Sequence, residues 1–134
     1  MARYVIDAAT LLHLLDREIA IHADHQLVAP NAIRSEALQS LLSDVIAGRR
    51  TEKEALAMHE RVTELKMRLL GDRGSRGMAW RIARQQGWDT LRDAEYLAVA
   101  KLQADALVTV DKALARAAKG VVPVAPLSSL STAG

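Results

Sequence analysis

With 134 residues, no cysteine and a net charge of only +2, the chain is sized for one domain whose core must be closed by apolar side chains alone. Half of the residues are apolar, but there is no Phe and only two Trp and two Tyr, so that core is aliphatic. Disulfide frameworks and thiolate metal sites are excluded, which leaves carboxylate, imidazole and water as metal ligands. No apolar run reaches the roughly 20 residues needed to span a bilayer, and the N-terminus lacks a long apolar leader core; a cytoplasmic chain, neither secreted nor membrane-spanning, is expected.

In chain order, Tyr4-Val5-Ile6 reads as a buried strand closed by Asp7 and followed by a helix over residues 8–15. A second strand over 26–29 ends at Pro30, Asn31 is placed to cap a helix over 32–47, and Gly48 stops it. Thr51 and Glu54 have capping-box spacing at the head of a helix to about residue 65. Gly71, Gly74 and Gly77 punctuate the stretch that follows, before a helix over 75–86 ended by Gly87. Thr90 is the candidate cap of a helix over 91–104 that is apolar nearly all round and therefore buried. Residues 106–110 form the next strand, ended by Asp111, with a helix over 112–118 and a final strand over 121–125.

Short, nearly all-apolar strands alternating with helices predict an α/β fold with a central, mostly parallel sheet covered by helices on both faces. One domain over residues 1–126 and a frayed tail over 127–134 complete the layout. In open sheets of this kind ligands bind beyond the carboxyl ends of the strands, where Asp7 and Asp111 both fall.

Charge is unevenly placed: residues 49–84 hold ten Lys or Arg against five Asp or Glu, and the rest of the chain holds eight against eleven. A polyanion gripped by bases and cut at an acidic site needs this combination, although interleaved helical charge pairs give the same count. Singly, the acids have plain explanations. Asp7 and Asp111 suit helix N-caps, and Glu36 shares a polar helix face with Gln39, Ser40 and Ser43. Asp93 lies on the apolar stripe of Leu97 and Ala100, where a carboxylate needs a partner.

Taken together, Tyr4-Val5-Ile6-Asp7, Val28-Ala29-Pro30 with Glu36 beyond, the run from Asp93-Ala94-Glu95-Tyr96 to Ala100, and Leu107-Val108-Thr109-Val110-Asp111 resemble the four ordered signatures of a PIN domain. Length and layout are similar to the VapC toxins of type II toxin–antitoxin pairs. The resemblance implies a three-layer PIN-like fold and an acidic pocket of Asp7, Glu36, Asp93 and Asp111 that binds Mg²⁺ or Mn²⁺ and cleaves RNA. It further implies a VapB-like antitoxin whose C-terminal segment covers the groove, and a homodimer, for which the Leu and Met residues of 56–70 offer an apolar face. Thr109, two positions before Asp111, resembles the family's hydroxyl residue there, and strand alternation would point both side chains to one side. Ala9 departs from the pattern, which often has a small hydroxyl or amide residue at that place; Thr10 follows one step later.

Three rivals remain. Metal-independent cleavage could use His13, His22, His25 or His59, with a cyclic phosphate product in place of a 5′-phosphate. A phosphoacceptor receiver domain also sets acids at strand ends, but its acidic doublet and late Lys-Pro are missing. A degenerate PIN domain would bind RNA or protein without cutting. Trp80 and Trp88 suit either base stacking or apolar anchoring.

Overall fold

A computed structural model describes residues 1–133. The strands are β1 (Arg3–Ile6), β2 (Gln26–Pro30), β3 (Arg68–Leu70) and β4 (Ala106–Val108), and among the described residues they form one parallel sheet in the order β3-β2-β1-β4. Val5 stands opposite Val28 on one side and Leu107 on the other, all three fully buried, so the sheet interior is an aliphatic layer as the composition requires. The helices are α1 (Ala8–Asp16), α2 (Ile33–Ile46), α3 (Glu52–Glu64), α4 (Arg73–Gln86), α5 (Arg92–Gln103) and α6 (Lys112–Ala118).

This strand order decides where the helices go. The chain steps from β1 to β2 to β3 in one direction and then returns across the sheet to β4. Right-handed crossovers therefore put α1, α2 and α3 on one face and α4 and α5 on the other. Packing agrees, with α1, α2 and α3 in mutual contact and α4 against α5, which lies over β1, β2 and β4. The reversal of winding falls between β1 and β4, whose carboxyl ends carry Asp7 and Asp111. No helix among the described residues is long and apolar enough to cross a membrane.

Several local expectations hold for the stated reasons. Thr51 and Glu54 form both halves of the capping box on α3. Gly48, Gly87 and Gly120 take positive φ just past α2, α4 and α6. From Tyr96 to Ala100 every residue of α5 is buried, as its apolar wheel predicts.

Others are corrected. Asn31 does not cap α2: Ala32 occupies that position without a side-chain cap, and the Asn31 backbone N–H donates to the Leu70 carbonyl at 2.9 Å. That bond belongs to β3, a strand the glycine-rich punctuation concealed. Gly71 closes it, because a Cβ there would collide with the Asn31 amide. Thr90 likewise caps nothing, since Leu91 is the N-cap of α5 and makes no side-chain cap bond. Asp72 caps α4 through the Ser75 N–H at 2.8 Å, starting that helix two residues earlier than expected.

Residues 121–125 make one parallel bridge to Leu107 and no strand; Pro123, with no N–H of its own, contributes only its carbonyl to the Leu107 N–H. The segment beyond is docked rather than frayed. Leu127–Leu130 forms a 3₁₀ turn, Leu130 is fully buried, and its carbonyl accepts from the His22 N–H at 2.8 Å. Full burial of one such side chain stabilises by roughly 1.5–3 kcal/mol, enough to hold a short tail. In the stretch 56–70, Met58 and Val62 are buried and Leu65, Met67, Leu69 and Leu70 pack on the core, leaving Leu56 exposed. The exposed apolar stripe lies instead on α2, at Leu38, Leu42 and Ile46.

Candidate active site

A cleft of about 240 Å³ opens at the carboxyl end of the sheet and is lined by Asp7, Glu36, Asp93 and Asp111, together with Arg92 and Tyr96. Asp7 arrives there as the N-cap of α1. Its Oδ1 accepts from the Thr10 N–H at 3.2 Å and from the Thr10 hydroxyl, which leaves Oδ2 without a hydrogen-bond donor among the described residues. Asp111 caps α6, its Oδ1 accepting from the N–H groups of Ala113 and Leu114 at 2.9 and 3.2 Å. Cap and cleft residue are thus one assignment: the backbone fixes one carboxylate oxygen and the second is free to face the cleft.

Thr10 joins these two corners. Fully buried, its hydroxyl donates to Asp7 and accepts from the Val110 N–H at 3.0 Å. It therefore supplies, one position late, the hydroxyl that Ala9 lacks. The same bond draws Val110 away from the sheet, so β4 ends at Val108 and alternation no longer governs Thr109. The Thr109 hydroxyl instead accepts from the Asp111 N–H at 3.0 Å and does not line the cleft. That bond shapes the turn that presents Asp111.

The other two acids stand on helices. Asp93 sits in the first turn of α5 with its side chain 44 % exposed, so it is half-buried rather than sealed among Leu97 and Ala100. Burial raises its pKa, Arg92 at 3.8 Å opposes the rise, and the charges of Asp111 and Asp7 add to it. Glu36, on the first turn of α2, accepts at 2.9 Å from the hydroxyl of buried Tyr96. Burial raises its pKa too, against the Tyr96 hydrogen bond and the Arg92 charge, with Glu95 and Asp93 adding to the rise. The polar face of α2 read from sequence as solvated is the wall of the cleft, since Gln39 and Ser40 line it beside Glu36.

The donor chemistry suits a hard divalent cation: oxygen ligands only, two of them oriented by backbone N–H groups, and mutual repulsion between Asp7, Asp93 and Asp111 for a cation to relieve. Among the described residues no three His, Asp or Glu side chains stand together as a ready ligand group. Mg²⁺ commonly uses one or two carboxylates and keeps several waters, and an open cleft of this kind fits that habit. No histidine lines the cleft. His22 and His25 lie at the opposite end of the strands, where the His25 ring meets the Thr132 carbonyl and the Ala2 N–H.

Comparison with known proteins bears on the fold. A protein from Pyrobaculum aerophilum, PAE2754, superposes with a TM-score of 0.74 over 96 % of this chain and 93 % of its own, at 24 % identity. VapBC-1 from nontypeable Haemophilus influenzae matches with a TM-score of 0.63 at 14 % identity, over 94 % and 98 %. VapBC-5 from Mycobacterium tuberculosis, a member of the VapBC family of toxin–antitoxin systems, matches with a TM-score of 0.59 at 24 % identity, over 94 % and 98 %. The fold is PIN-like. No family model and no curated protein matches the sequence, so the likeness is one of architecture.

Of the five site residues expected from sequence, the structure brings the four acids to one cleft and sets Thr109 behind one of them. Tyr96 and Arg92 join the cleft without being among the residues expected from sequence. Their spacing was the available signal, because Tyr96 follows Asp93 by one helical turn and shares its side of α5.

Proposed function

We propose that the chain is a Mg²⁺- or Mn²⁺-dependent endoribonuclease that acts as the toxin of a toxin–antitoxin pair, with a VapB-like antitoxin as its partner. One observation carries this reading: four carboxylates from four separate chain segments share a single cleft at the switch point of a PIN-like sheet. Converging carboxylates repel one another, and such an arrangement is kept chiefly where chemistry needs it.

Asp7, Asp93 and Asp111 are the residues assigned to the ion, one or two as direct ligands and the others through its bound waters, with Glu36 lining the same cleft. A divalent ion bound there supplies screening of the phosphate charge, a more acidic water and stabilisation of the leaving oxygen. The protein's own part is positional. Thr10 and the first turns of α1 and α6 hold Asp7 and Asp111 in fixed rotamers. Tyr96, kept protonated by burial and by the neighbouring Glu36 charge, aims Glu36 into the cleft. Arg92 offsets part of the negative charge and offers a guanidinium to an incoming phosphate.

A protein partner is supported by the exposed Leu38, Leu42 and Ile46, which recur every four residues on α2 along a stripe that adjoins Gln39 and turns away from Glu36 and Ser40. An antitoxin segment or a second copy of the chain would cover that stripe. The resemblance favours both, and both belong to this proposal.

The test is cleavage of a panel of structured RNAs with Mg²⁺, with EDTA, and by Asp7→Asn. The expected result is cutting only by the wild type with metal, leaving 5′-phosphate and 3′-hydroxyl ends. Cyclic phosphate ends insensitive to chelator would establish the histidine route instead, and binding without any cut would establish a degenerate domain. Expression of the chain with and without its genomic neighbour tests the toxin role, with growth arrest expected only without it.

A further inference from the structure

The excess of basic residues in 49–84 is not one surface. Arg49 and Arg50 are consumed in ion pairs with Asp44 and Asp16 at 2.7–2.9 Å. Along α3, Glu52, Glu54, Glu60 and Glu64 alternate with the bases. On α4 the pattern changes: the helix carries Arg73, Arg76, Arg81 and Arg84 and no acid at all, and among the described residues none of these four forms a salt bridge.

Helical spacing places Arg73, Arg76, Trp80 and Arg84 on one face, opposite the buried side made by Ser75, Ala79, Ile82 and Ala83. Trp80 stands in the middle of that face and is 62 % exposed. An indole left in water among three guanidinium groups serves no packing purpose, and the helix accepts two glycines, Gly74 and Gly77, despite their cost in a helix interior. At Gly77 the backbone beside Arg76 and Trp80 stays open, since an added Cβ would meet only the Arg81 guanidinium at 3.9 Å.

One residue of the strip, Arg76, reaches toward the side of the cleft, its guanidinium donating to the Gly71 carbonyl at 2.8 Å. A hollow of about 210 Å³ at the carboxyl ends of β2 and β3 is lined by Pro30, Asn31, Gly71, Arg76 and Glu95. The first turns of α2 and α5 border both, with Ala32 and Glu95 lining the hollow and Glu36, Asp93 and Tyr96 the cleft.

We infer that this face of α4, with Trp80 at its centre, is the docking strip for the single-stranded RNA that runs away from the cut phosphate. This rests on the ribonuclease reading above. The occupant follows from chemistry: regularly spaced guanidinium groups match phosphates, an exposed indole among them matches a base, and a Trp accepts any base by stacking. From Arg73 to Arg84 the face extends about 16 Å along the helix axis, long enough to touch several nucleotides. An acidic peptide would use the charges but leave the indole without a planar partner, and a duplex hides its bases' faces.

The experiment measures binding of a fluorescein-labelled single-stranded RNA by the full chain in EDTA, at several salt concentrations, so that nothing is cut. Trp80→Ala is expected to weaken binding roughly five- to a hundredfold, and Trp80→Phe to restore most of it. The double variant Arg73→Gln/Arg84→Gln is expected to lower the slope of log K against log salt by about 1.4, at about 0.7 per phosphate contact. All three positions are exposed, and unchanged thermal melts verify the fold. Wild-type affinity and slope in these variants would overturn the inference. So would a loss that is as large for duplex DNA or for an acidic peptide as for the RNA. Metal-dependent cutting by the wild type alongside unaltered variant binding removes the strip and keeps the nuclease. Weakened variant binding with no cutting by the wild type removes the nuclease and keeps the strip.

Discussion

The four acids of the cleft divide into two pairs with opposite supports. Asp7 and Asp111 sit at strand ends, each with one oxygen satisfied by the first turn of the helix it caps. Asp93 and Glu36 sit on helix faces, accept from no backbone N–H among the described residues, and have pKa values raised chiefly by burial. The first pair is organised by the fold whether or not a cation is present. The second is electrostatically uncomfortable without one. In the proposed metal site the first pair would set the position of the ion and the second would gain most from its charge.

The largest expected effect bears on both halves at once. Asp7→Asn and Asp93→Asn should each lower the rate of metal-dependent RNA cleavage by at least about a hundredfold, the scale of losing several kcal/mol of transition-state charge stabilisation. Single-turnover cleavage at saturating RNA measures this. The pair then separates on stability. Asp7→Ala and Asp111→Ala should each destabilise by about 0.5–2 kcal/mol through loss of a cap, while Asp7→Asn keeps a capping oxygen and should cost much less; chemical denaturation distinguishes them.

Metal-linked melting sharpens the contrast next. Millimolar Mg²⁺ or Mn²⁺ should raise the melting temperature, since a ligand at a hundred times its Kd adds about 2.7 kcal/mol to native stability. Asp93→Asn should blunt the shift. A smaller figure applies to the brace: Thr10→Val removes the acceptor of the part-buried Val110 N–H and should cost about 0.5–1.5 kcal/mol by denaturant titration.

The smallest effect is in pH. Raised native pKa values for Asp93 and Glu36 mean that the native state binds protons more readily than the unfolded chain. Their contribution to the stability of the metal-free protein should therefore be greatest below the ordinary carboxylate range and decline as pH rises through the raised values, whereas the lowered Asp44, Glu54 and Asp72 act in the opposite sense. Both groups are partly solvated, which keeps the decline shallow. Asp93→Asn should flatten it, as should Mg²⁺, and melts between pH 4 and pH 7 would show either.

The strand–acid junctions were legible in the sequence because a short apolar run must end where its backbone turns into a helix, and Asp is suited to that turn. Asp7 and Asp111 accordingly fall where periodicity put them. Glu36 was the hardest acid to place, since a polar helix face looks the same whether it meets bulk water or a cleft, and only the position of α5 across from it decides. β3 gives no sequence signal because three residues, Arg68–Leu70, have no usable period and are pinned by Asn31, distant in the chain, against which Gly71 closes the strand. The tail was misread for a related reason. Leu130 is one apolar residue among small polar ones, and its burial against the region of His22 is a tertiary fact.

The claim that these two unlike pairs form one metal site is tested most directly by Mn²⁺ binding, followed by electron paramagnetic resonance on the purified chain and on Asp7→Asn, Glu36→Gln, Asp93→Asn and Asp111→Asn. Saturable binding by the wild type that weakens in each variant, most in the three Asp variants and least in Glu36→Gln, is the predicted result. Binding that none of the four substitutions changes, or no saturable binding at all, would contradict it.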